Sequence, residues 1–290
     1  MNNNNQKYTV LFCGISKNCI ETIGYNLAFL SDYRNESKFQ IKMIFIDSDS
    51  NDGTKKELER FSINKNFVTY VELNGLEAKY KNRIERIALS RNACLNIITK
   101  NYNLNNVIYI PLDLDINLFK FATIDQLDKL INYCIEKKKP NGIFPFSEPF
   151  YYDIFALRAS GWVRYNSQFW AKRMKKYIKI GSFIYNYFLI FRHQIDLVNF
   201  KKLNINISSA FGGIGIYKLP INFLKYTVDK NYPEDVSEHV LFNSQFDELE
   251  IMEDWKIPAP AEHLEYRLQN WKMKISYILK TLKNDLKQNN

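Results

Sequence analysis

The nine residues from Val107 to Asp115, Val-Ile-Tyr-Ile-Pro-Leu-Asp-Leu-Asp, carry the strongest structural signal in this chain. A continuous apolar run is typical of a strand buried on both faces of a sheet. Ligands of open α/β sheets bind beyond the carboxyl ends of the strands, where this run places two acids. Side chains alternate along a strand, so we expect Asp113 and Asp115 to point the same way and Leu114 to face the core. Such acids suit a hard divalent cation, although D-x-D is short and a pair of solvated acids is the alternative.

The first half of the chain alternates between strand and helix patterns. Apolar runs predict strands at 8–13, 41–46, 67–73, 107–113 and 142–146, and helical periodicity predicts helices over 20–30, 83–98 and 127–135 with a short one after 54. Asn18 is expected to cap the first helix. This alternation predicts an α/β fold, with a Rossmann-like, mostly parallel central sheet and helices on both faces.

The second half has a different character. Residues 150–220 combine dense aromatics, a basic run and a Gly-Gly pair, so we expect irregular structure that completes a site over the sheet. No Pro- or Ser-rich linker divides the chain. We therefore expect a disordered Asn-rich segment at 1–7, one catalytic domain at 8–262 and an amphipathic C-terminal helix at 263–290.

Composition indicates the kind of partner and compartment. The 290 residues are 46% hydrophobic, which favours a folded globule with an ample core. The net charge of +9 favours anionic partners: nucleotide phosphates, nucleic acid or an acidic membrane surface. Four cysteines without a C-x-x-C pair predict buried free thiols and a reducing compartment. Without a signal-peptide pattern or a run of roughly 18 apolar residues, a cytoplasmic protein is expected.

Two polar segments precede the carboxylate strand. The acidic turn from Asp47 to Thr54 is not an EF-hand calcium loop, because Asp52 and Leu58 occupy the positions that require Gly and Glu. Asp47 could accept hydrogen bonds from a base or ribose, or the turn is an ordinary one.

The helix at 83–98 carries Arg83, Arg86, Arg91 and Asn92, with apolar residues expected on the opposite face. Arginine forks suit phosphate or carboxylate, and Arg91 could brace the acid loop. A solvated basic face is the alternative.

Three later motifs add candidate residues. Asp153 and Arg158 lie among aromatics, and Gly212-Gly213 supplies a backbone that a ligand can approach closely. Each also has an explanation as loop or core.

The third motif is the pair Glu238-His239, which would lie in the first turn of a helix capped by Asp235 or Ser237. Glu238 could be a general base, and His239 a metal ligand or proton carrier with His263 as its rival. The alternative is a pair of solvent-exposed side chains without a catalytic role.

In their order, these motifs resemble those of nucleotide-sugar glycosyltransferases of the GT-A fold. The likeness runs from about Tyr8 to Phe242 and includes Asp52-Gly53-Thr54, an A-x-R-N-like element at 88–92, the D-x-D pair and the Glu-His-Val segment. The later elements are similar to the branch that contains fungal capsular α-1,3-mannosyltransferases and related bacterial polysaccharide enzymes.

The resemblance implies transfer of a sugar from a UDP- or GDP-linked donor to a glycan or lipid-linked acceptor, in surface polysaccharide biosynthesis. It implies Mn²⁺ or Mg²⁺ as cofactor, held by Asp115 and His239 with Asp113 on the ribose or on the metal through water. The residues implied to contact the donor are Gly14, Asp47, Asp52, Arg83, Arg91, Asp113, Arg158, Gly212 and Gly213. Glu238 and Asp153 are the candidate catalytic residues. The commoner Glu-Asp reads Glu-His here, which leaves the base and the stereochemistry open.

Other functions and a membrane contact remain open from the residues alone. The basic run 172–176 and the aromatic run 183–191 suit peripheral contact with the inner face of an anionic membrane, as does the lysine-rich helix pattern from Trp271. A haloacid-dehalogenase-type phosphatase also ends a strand in D-x-D, but Asn117 stands where that motif has Thr or Val. A sugar nucleotidyltransferase would need a Gly-rich first loop. A nucleic-acid partner is not expected, because no zinc, RRM or helix-turn-helix pattern is present.

Overall fold

A seven-stranded sheet forms the centre of the part of the protein that this computed structural model describes, namely residues 8–177, 188–220, 222–223, 225–260 and 263. The strands are β1 (Thr9–Ser16), β2 (Gln40–Asp47), β3 (Val68–Glu72), β4 (Val107–Asp113), β5 (Asn141–Glu148), β6 (Arg158–Ser160), β7 (Asn206–Ser209), β8 (Ile216–Lys218) and β9 (Glu248–Pro258). The helices are α1 (Ile20–Glu36), α2 (Thr54–Ser62), α3 (Leu76–Lys79), α4 (Arg83–Asn101), α5 (Ile124–Glu136), α6 (Ser167–Tyr177), α7 (Leu197–Phe200) and α8 (Glu238–Asn243), with 3₁₀ turns at Leu104–Asn106 and Phe191–His193.

The strand order of the large sheet is β3-β2-β1-β4-β8-β5-β9. Neighbours from β3 to β4 are parallel, and so are β5 and β9, whereas β8 lies antiparallel between β4 and β5. The strands β6 and β7 pair separately and antiparallel. The predicted α/β class with a mostly parallel central sheet is therefore confirmed.

Helices cover both faces of the sheet. Side chains alternate along each strand, so neighbouring residues of a strand pack into different cores. Phe12 of β1 belongs to a core cluster with residues of α1, α2 and α5, such as Leu27. Its neighbour Cys13 belongs to a second cluster with residues of α4 and α8, such as Leu95 and Phe242. All four cysteines are free and buried, as predicted.

The start of α1 differs from the prediction. Asn18 does not cap the helix: its backbone is left-handed (φ 51°), and the helix begins at Ile20 without a side-chain cap from its own N-cap residue. The acidic turn after β2 supplies the acceptors instead, because Asp52 Oδ2 accepts from the backbone N–H of Ile20 at 3.0 Å and Thr54 Oγ1 from that of Cys19 at 2.9 Å. The prediction of Asn18 as a cap was wrong because the acceptor came from a segment more than 30 residues away.

Asp113 and Asp115 line the same cleft, as expected, although not through alternation along one strand. The strand β4 ends at Asp113, and Leu114 and Asp115 form the turn that follows. Leu114 is nonetheless fully buried, as expected.

The described part of segment 150–220 contains three short strands and two helices between irregular stretches, so this part is less irregular than predicted. The segment 1–7, most of the aromatic run 183–191 and the expected C-terminal helix after His263 lie outside the described residues. Among the helices that are described, none has the length and apolar character needed to span a bilayer.

Two glycines allow a matched test of packing beneath the turn after β4. A Cβ at Gly14 would lie 2.8 Å from side-chain atoms of both Leu114 and Phe45, which are packed in the core. We expect Gly14→Ala to lower the free energy of unfolding by about 1–3 kcal/mol through overpacking. At Gly24, on the exposed side of α1, a Cβ would meet nothing within 4 Å. There the same substitution should raise stability by about 0.5–1 kcal/mol, as is usual for Gly→Ala within a helix. Urea unfolding monitored by circular dichroism measures both variants, and equal effects would contradict this account of Gly14.

Candidate active site

A cleft of about 1170 Å³ opens at the edge of the sheet where β1, β2 and β4 end. Ser16, Ser48 and Asp113 line it at or just beyond the carboxyl ends of these strands, and Asp115 follows in the next turn. Further lining comes from the first turns of α4, from the start of α8 and from segment 152–155. Ligands of open α/β sheets bind at this edge.

The cleft brings together eight of the residues predicted to contact the donor, to hold the metal or to take part in catalysis: Arg83, Arg91, Asp113, Asp115, Asp153, Glu238, His239 and His263. Its lining does not include six others: Gly14, Asp47, Asp52, Arg158, Gly212 and Gly213.

Arg91 connects three elements at the base of the cleft. Its Nη2 lies 2.7 Å from Asp113 Oδ1, and its Nε lies 3.1 Å from Glu238 Oε1. Arg91 is only 1% exposed. Burial alone would lower its pKa, but the carboxylates of Asp113 and Glu238 raise that pKa well above the ordinary value. The guanidinium is therefore charged, paired with the first acid of D-x-D and tied to α8.

The position of Arg91 within α4 corrects the expected helix faces. Ala88 and Leu95 are buried three residues before it and four residues after it, so Arg91 lies on the apolar face and not opposite to it. Its guanidinium carbon lies 4.7 Å from the ring centre of Phe211 and 5.6 Å from that of Tyr226. These rings cover the arginine where its carboxylate partners do not.

Asn92 holds one of these rings in place. Its side chain donates to the backbone oxygen of Tyr226 at 2.8 Å and accepts from the backbone N–H of Tyr226 at 2.9 Å. Arg91 and Asn92 are adjacent in the sequence but make different contacts. Arg91 binds two carboxylates, and Asn92 binds the backbone of Tyr226.

Glu238 and His239 begin α8, with Ser237 as the N-cap. Glu238 is 4% exposed, and burial raises its pKa while the charge of Arg91 opposes the rise. His239 is 2% exposed, and its ring centre lies 3.6 Å from that of Phe211. Burial and the neighbouring Arg91 lower its pKa well below the ordinary value, so the ring is neutral. His239 Nε2 lies 3.5 Å from Glu238 Oε1 without hydrogen-bond geometry, and neither ring nitrogen has a hydrogen-bond partner within the described structure.

A glycine pair links the end of β4 to Asp153. The backbone N–H of Asp113 donates to the oxygen of Gly213 at 2.8 Å, and the N–H of Gly212 donates to Asp153 Oδ2 at 2.9 Å. Both glycines have positive φ, and a Cβ on Gly213 would lie 2.8 Å from Ile116 Cδ1. Glycine is therefore required here for close packing of the chain. Burial raises the pKa of Asp153, against the two backbone N–H groups that it accepts.

The predicted residues outside the lining make local contacts. Asp47 is fully buried and accepts hydrogen bonds from Ser16 Oγ at 2.8 Å and Ser50 Oγ at 2.5 Å. Arg158 Nη1 donates to the backbone oxygens of Phe155 and Leu157. Asp52, as described, caps α1. Asp47, Asp52 and Arg158 therefore have structural contacts within the fold. The proposed contacts of these residues with a donor stay predictions.

Asn26 is a residue of this site that the sequence analysis missed. It is fully buried in α1 and binds the turn that follows D-x-D through three backbone groups. Its Nδ2 donates to the oxygens of Leu114 at 3.3 Å and Ile116 at 2.8 Å, and its Oδ1 accepts from the N–H of Leu118 at 3.1 Å. The sequence feature that could have identified Asn26 is an amide side chain within the apolar stripe of a predicted helix.

Asp113 and Asp115 are the residues best placed to hold a metal ion. Within the described residues, no three His, Cys, Asp or Glu side chains come close enough to form a metal site by themselves. Asp113 is half-buried and Asp115 is exposed in the cleft. Two carboxylates fit a hard cation that completes its shell with water and substrate phosphates, and they do not form a closed protein cage. His239 also lines the cleft, with its ring stacked on Phe211, and its role as a third ligand stays a prediction.

No protein-family profile matches the chain, and no curated protein matches it. Among solved structures, it is similar to mannosyl-3-phosphoglycerate synthase from Rubrobacter xylanophilus, with 12% identity, a TM-score of 0.41 and coverage of 97% of this chain and 75% of that one. It is also similar to a cytidylyltransferase from Leptospira borgpetersenii serovar Hardjo-bovis (strain JB197), with 15% identity, a TM-score of 0.28 and coverage of 47% and 53%. With TM-scores below 0.5, neither likeness carries an argument about the fold, the activity or the fungal branch.

Asn26 provides a test of how the D-x-D turn is held. Asn26→Leu keeps the branched shape of the side chain, in a larger volume, but leaves the backbone groups of Leu114, Ile116 and Leu118 without their partner. We expect a loss of about 3 kcal/mol or more in the free energy of unfolding, because three buried polar groups lose their partner and each costs about 1–3 kcal/mol. The matched control is Asn105→Leu, since Asn105 is exposed in a 3₁₀ turn. Urea unfolding of both variants measures the difference, and two equally stable variants would exclude this role for Asn26.

Proposed function

We propose that this protein is a metal-dependent glycosyltransferase that moves a sugar from a nucleotide-sugar donor to a glycan or lipid-linked acceptor in surface polysaccharide biosynthesis. The observation that carries the proposal is the position of Asp113 and Asp115, which line one cleft at the carboxyl edge of a mostly parallel sheet. The resemblance in motif order to GT-A glycosyltransferases supports the same reading. The four buried free thiols fit a reducing compartment such as the cytoplasm.

The donor is proposed to lie along the side of the cleft formed by β1 and α4. Lys17, Arg83 and Arg86 line this side. Arg83 is exposed at the first position of α4, and Arg86 is held by the backbone oxygens of Tyr80 and Lys81. Arginine and lysine in this arrangement suit the phosphates of a nucleoside diphosphate.

Mn²⁺ or Mg²⁺ is proposed as cofactor, with Asp115 as a direct ligand and Asp113 as a ligand or a ribose contact. When bound there, the cation would neutralise charge on the departing nucleoside diphosphate. Arg91 orients Asp113 by the 2.7 Å contact to its Oδ1. The carboxylate therefore does not need to reorganise when a donor arrives.

Asp153 is proposed as the residue that accepts the proton of the acceptor hydroxyl. It is half-buried in the cleft, its carboxylate is held by the N–H groups of Gly212 and Ala156, and burial raises its pKa toward the range useful to a base. Glu238 was the other candidate, but it is 4% exposed and paired with Arg91. We therefore propose that Glu238 is a positioning residue, which holds Arg91 against Asp113.

The first test concerns the metal and the donor. We expect Asp115→Ala to lower Mn²⁺-dependent donor hydrolysis and transfer by about 100-fold or more, because charge on the leaving group loses its stabilisation. A thermal-shift screen of UDP-, GDP-, CMP- and dTDP-sugars, with and without Mn²⁺, identifies the donor for the assay. The variant should also lose the Mn²⁺-dependent shift with that nucleotide.

The control for the metal test is Asp125→Ala, which removes an exposed carboxylate on α5. It should behave like the parent protein. Full activity of Asp115→Ala would remove the metal assignment. A chain that shows no shift with any nucleotide, but hydrolyses a phosphate monoester, would be a phosphatase instead.

The second test separates the roles of Asp153 and Glu238 by replacing each carboxylate with the corresponding amide. We expect Asp153→Asn to lower kcat by about 10²–10⁴-fold, as loss of a general base does, with little change in donor KM. Glu238→Gln keeps an oxygen that can accept from Arg91 Nε, so its kcat should fall by less than about 100-fold, the lower bound for a lost base.

The truncation Glu238→Ala provides a readout of positioning. It leaves Arg91 short of one partner, so the free energy of unfolding should fall by about 3–5 kcal/mol, whereas Glu238→Gln should stay closer to the parent. Steady-state kinetics and urea unfolding measure these variants. If Glu238→Gln is inactive while Asp153→Asn is active, the two roles are exchanged.

A further inference from the structure

Nearly all of the net charge of this protein is concentrated in one stretch of sequence. Residues 164–202 contain nine Lys and Arg and one acid, Asp196, so they carry +8 of the total +9. The other 251 residues are together almost neutral. Charge of this density and sign favours an extended anionic partner.

The described part of this stretch presents aromatic and basic side chains on the same helix face. In α6, the buried side contains Ser167 and Ala171, which are 2% and 7% exposed. Trp170 is 44% exposed, and Arg173 and Lys176 are exposed too. At 3.6 residues per turn, these three lie on the side of the helix away from Ala171.

A second element extends this surface. Phe188 is 52% exposed and Arg192 is exposed, on either side of Ile190 and Phe191, which line the cleft. Tyr165 Oη lies 3.0 Å from His193 Nε2, so the segment just before α6 and the 3₁₀ turn Phe191–His193 are in contact. We call the exposed side chains of Tyr165, Trp170, Arg173, Lys176, Phe188 and Arg192 the basic-aromatic face.

The basic-aromatic face borders the cleft. Gln168 of α6 lines the cleft two residues before Trp170, and Ile190 lines it two residues after Phe188. A flat partner bound to this face would therefore lie next to the cleft.

We propose that the basic-aromatic face binds the surface of an anionic phospholipid membrane. Lysine and arginine are attracted to anionic headgroups, and exposed Trp, Tyr and Phe insert at the boundary between headgroups and acyl chains. Charge alone would also suit nucleic acid, but the interleaved aromatic side chains at 38% to 52% exposure favour the membrane. This inference goes beyond the proposed catalysis and does not depend on it. If both hold, a lipid-linked acceptor meets the cleft at the membrane.

The experiment is co-sedimentation of the full chain with vesicles of phosphatidylcholine alone or with about one-third phosphatidylserine, at low and high salt. We expect binding only with phosphatidylserine, weakened by salt because the Debye length shortens to about 3 Å at 1 M. The double variant R173E/K176E should weaken binding by about tenfold or more. The double variant W170S/F188S should weaken it too, most visibly at high salt, where the apolar contribution remains.

Matched controls carry the same changes elsewhere. K56E/K100E removes the same charge from exposed positions on α2 and α4, and Y25S/I63S removes two other exposed apolar side chains. Both controls should bind like the parent. Donor hydrolysis in vesicle-free buffer should be unchanged in all four variants, which separates failure of this inference from failure of the proposed activity.

Three outcomes would overturn the proposal: equal binding to both kinds of vesicle, equal weakening by the controls, or binding of a DNA duplex but not of vesicles. The last outcome would assign the face to nucleic acid. Thermal midpoints of the variants within a few degrees of the parent exclude unfolding as the cause.

Discussion

The charge of Arg91 is the constraint on which the cleft depends. A buried guanidinium is tolerated only when carboxylates replace its water, and Arg91 has two such partners, Asp113 and Glu238. These partners lie 22 and 147 residues away along the chain. The ion pairs therefore fasten α4 and α8 to the end of the central strand β4. Removing one partner of such a buried pair typically costs about 3–5 kcal/mol, which is a large share of the stability of a domain.

This arrangement divides the carboxylates of the cleft into two groups. Glu238 is buried against Arg91, and Asp113 is shared between Arg91 and the cleft. Asp115 is exposed, and Asp153 is half-buried and held by backbone N–H groups. Glu238 can only set geometry, whereas Asp113, which Arg91 orients, can meet a ligand in the cleft together with Asp115 and Asp153. The chemical roles that we propose follow from this difference in access more than from the residue types, which are the same.

The sequence was sufficient for features that depend on local periodicity. The strand–helix alternation predicted the α/β class, the apolar run predicted β4, and Ser237 was one of two predicted caps for α8. It was insufficient where a distant segment supplied the partner. Asn18 was predicted as a cap, but Asp52 supplied the acceptor. Asn26 was missed because its three partners lie about 90 residues further along. Arg91 was placed on the polar face because a charged residue in an apolar stripe has meaning only when its carboxylates are known.

The distribution of charge revises the inference drawn from composition. The net charge of +9 first indicated nucleotide phosphates among other anionic partners. The cleft, however, is lined by five acids and by four Lys and Arg, so its own balance is close to neutral or negative. A cleft of this kind suits a cation together with a diphosphate, since the cation supplies the positive charge that the side chains lack. Residues 164–202 carry the excess positive charge, and none of their described Lys and Arg lines the cleft. The proposed binding of the donor and the basic character of the chain are therefore open to separate mutation.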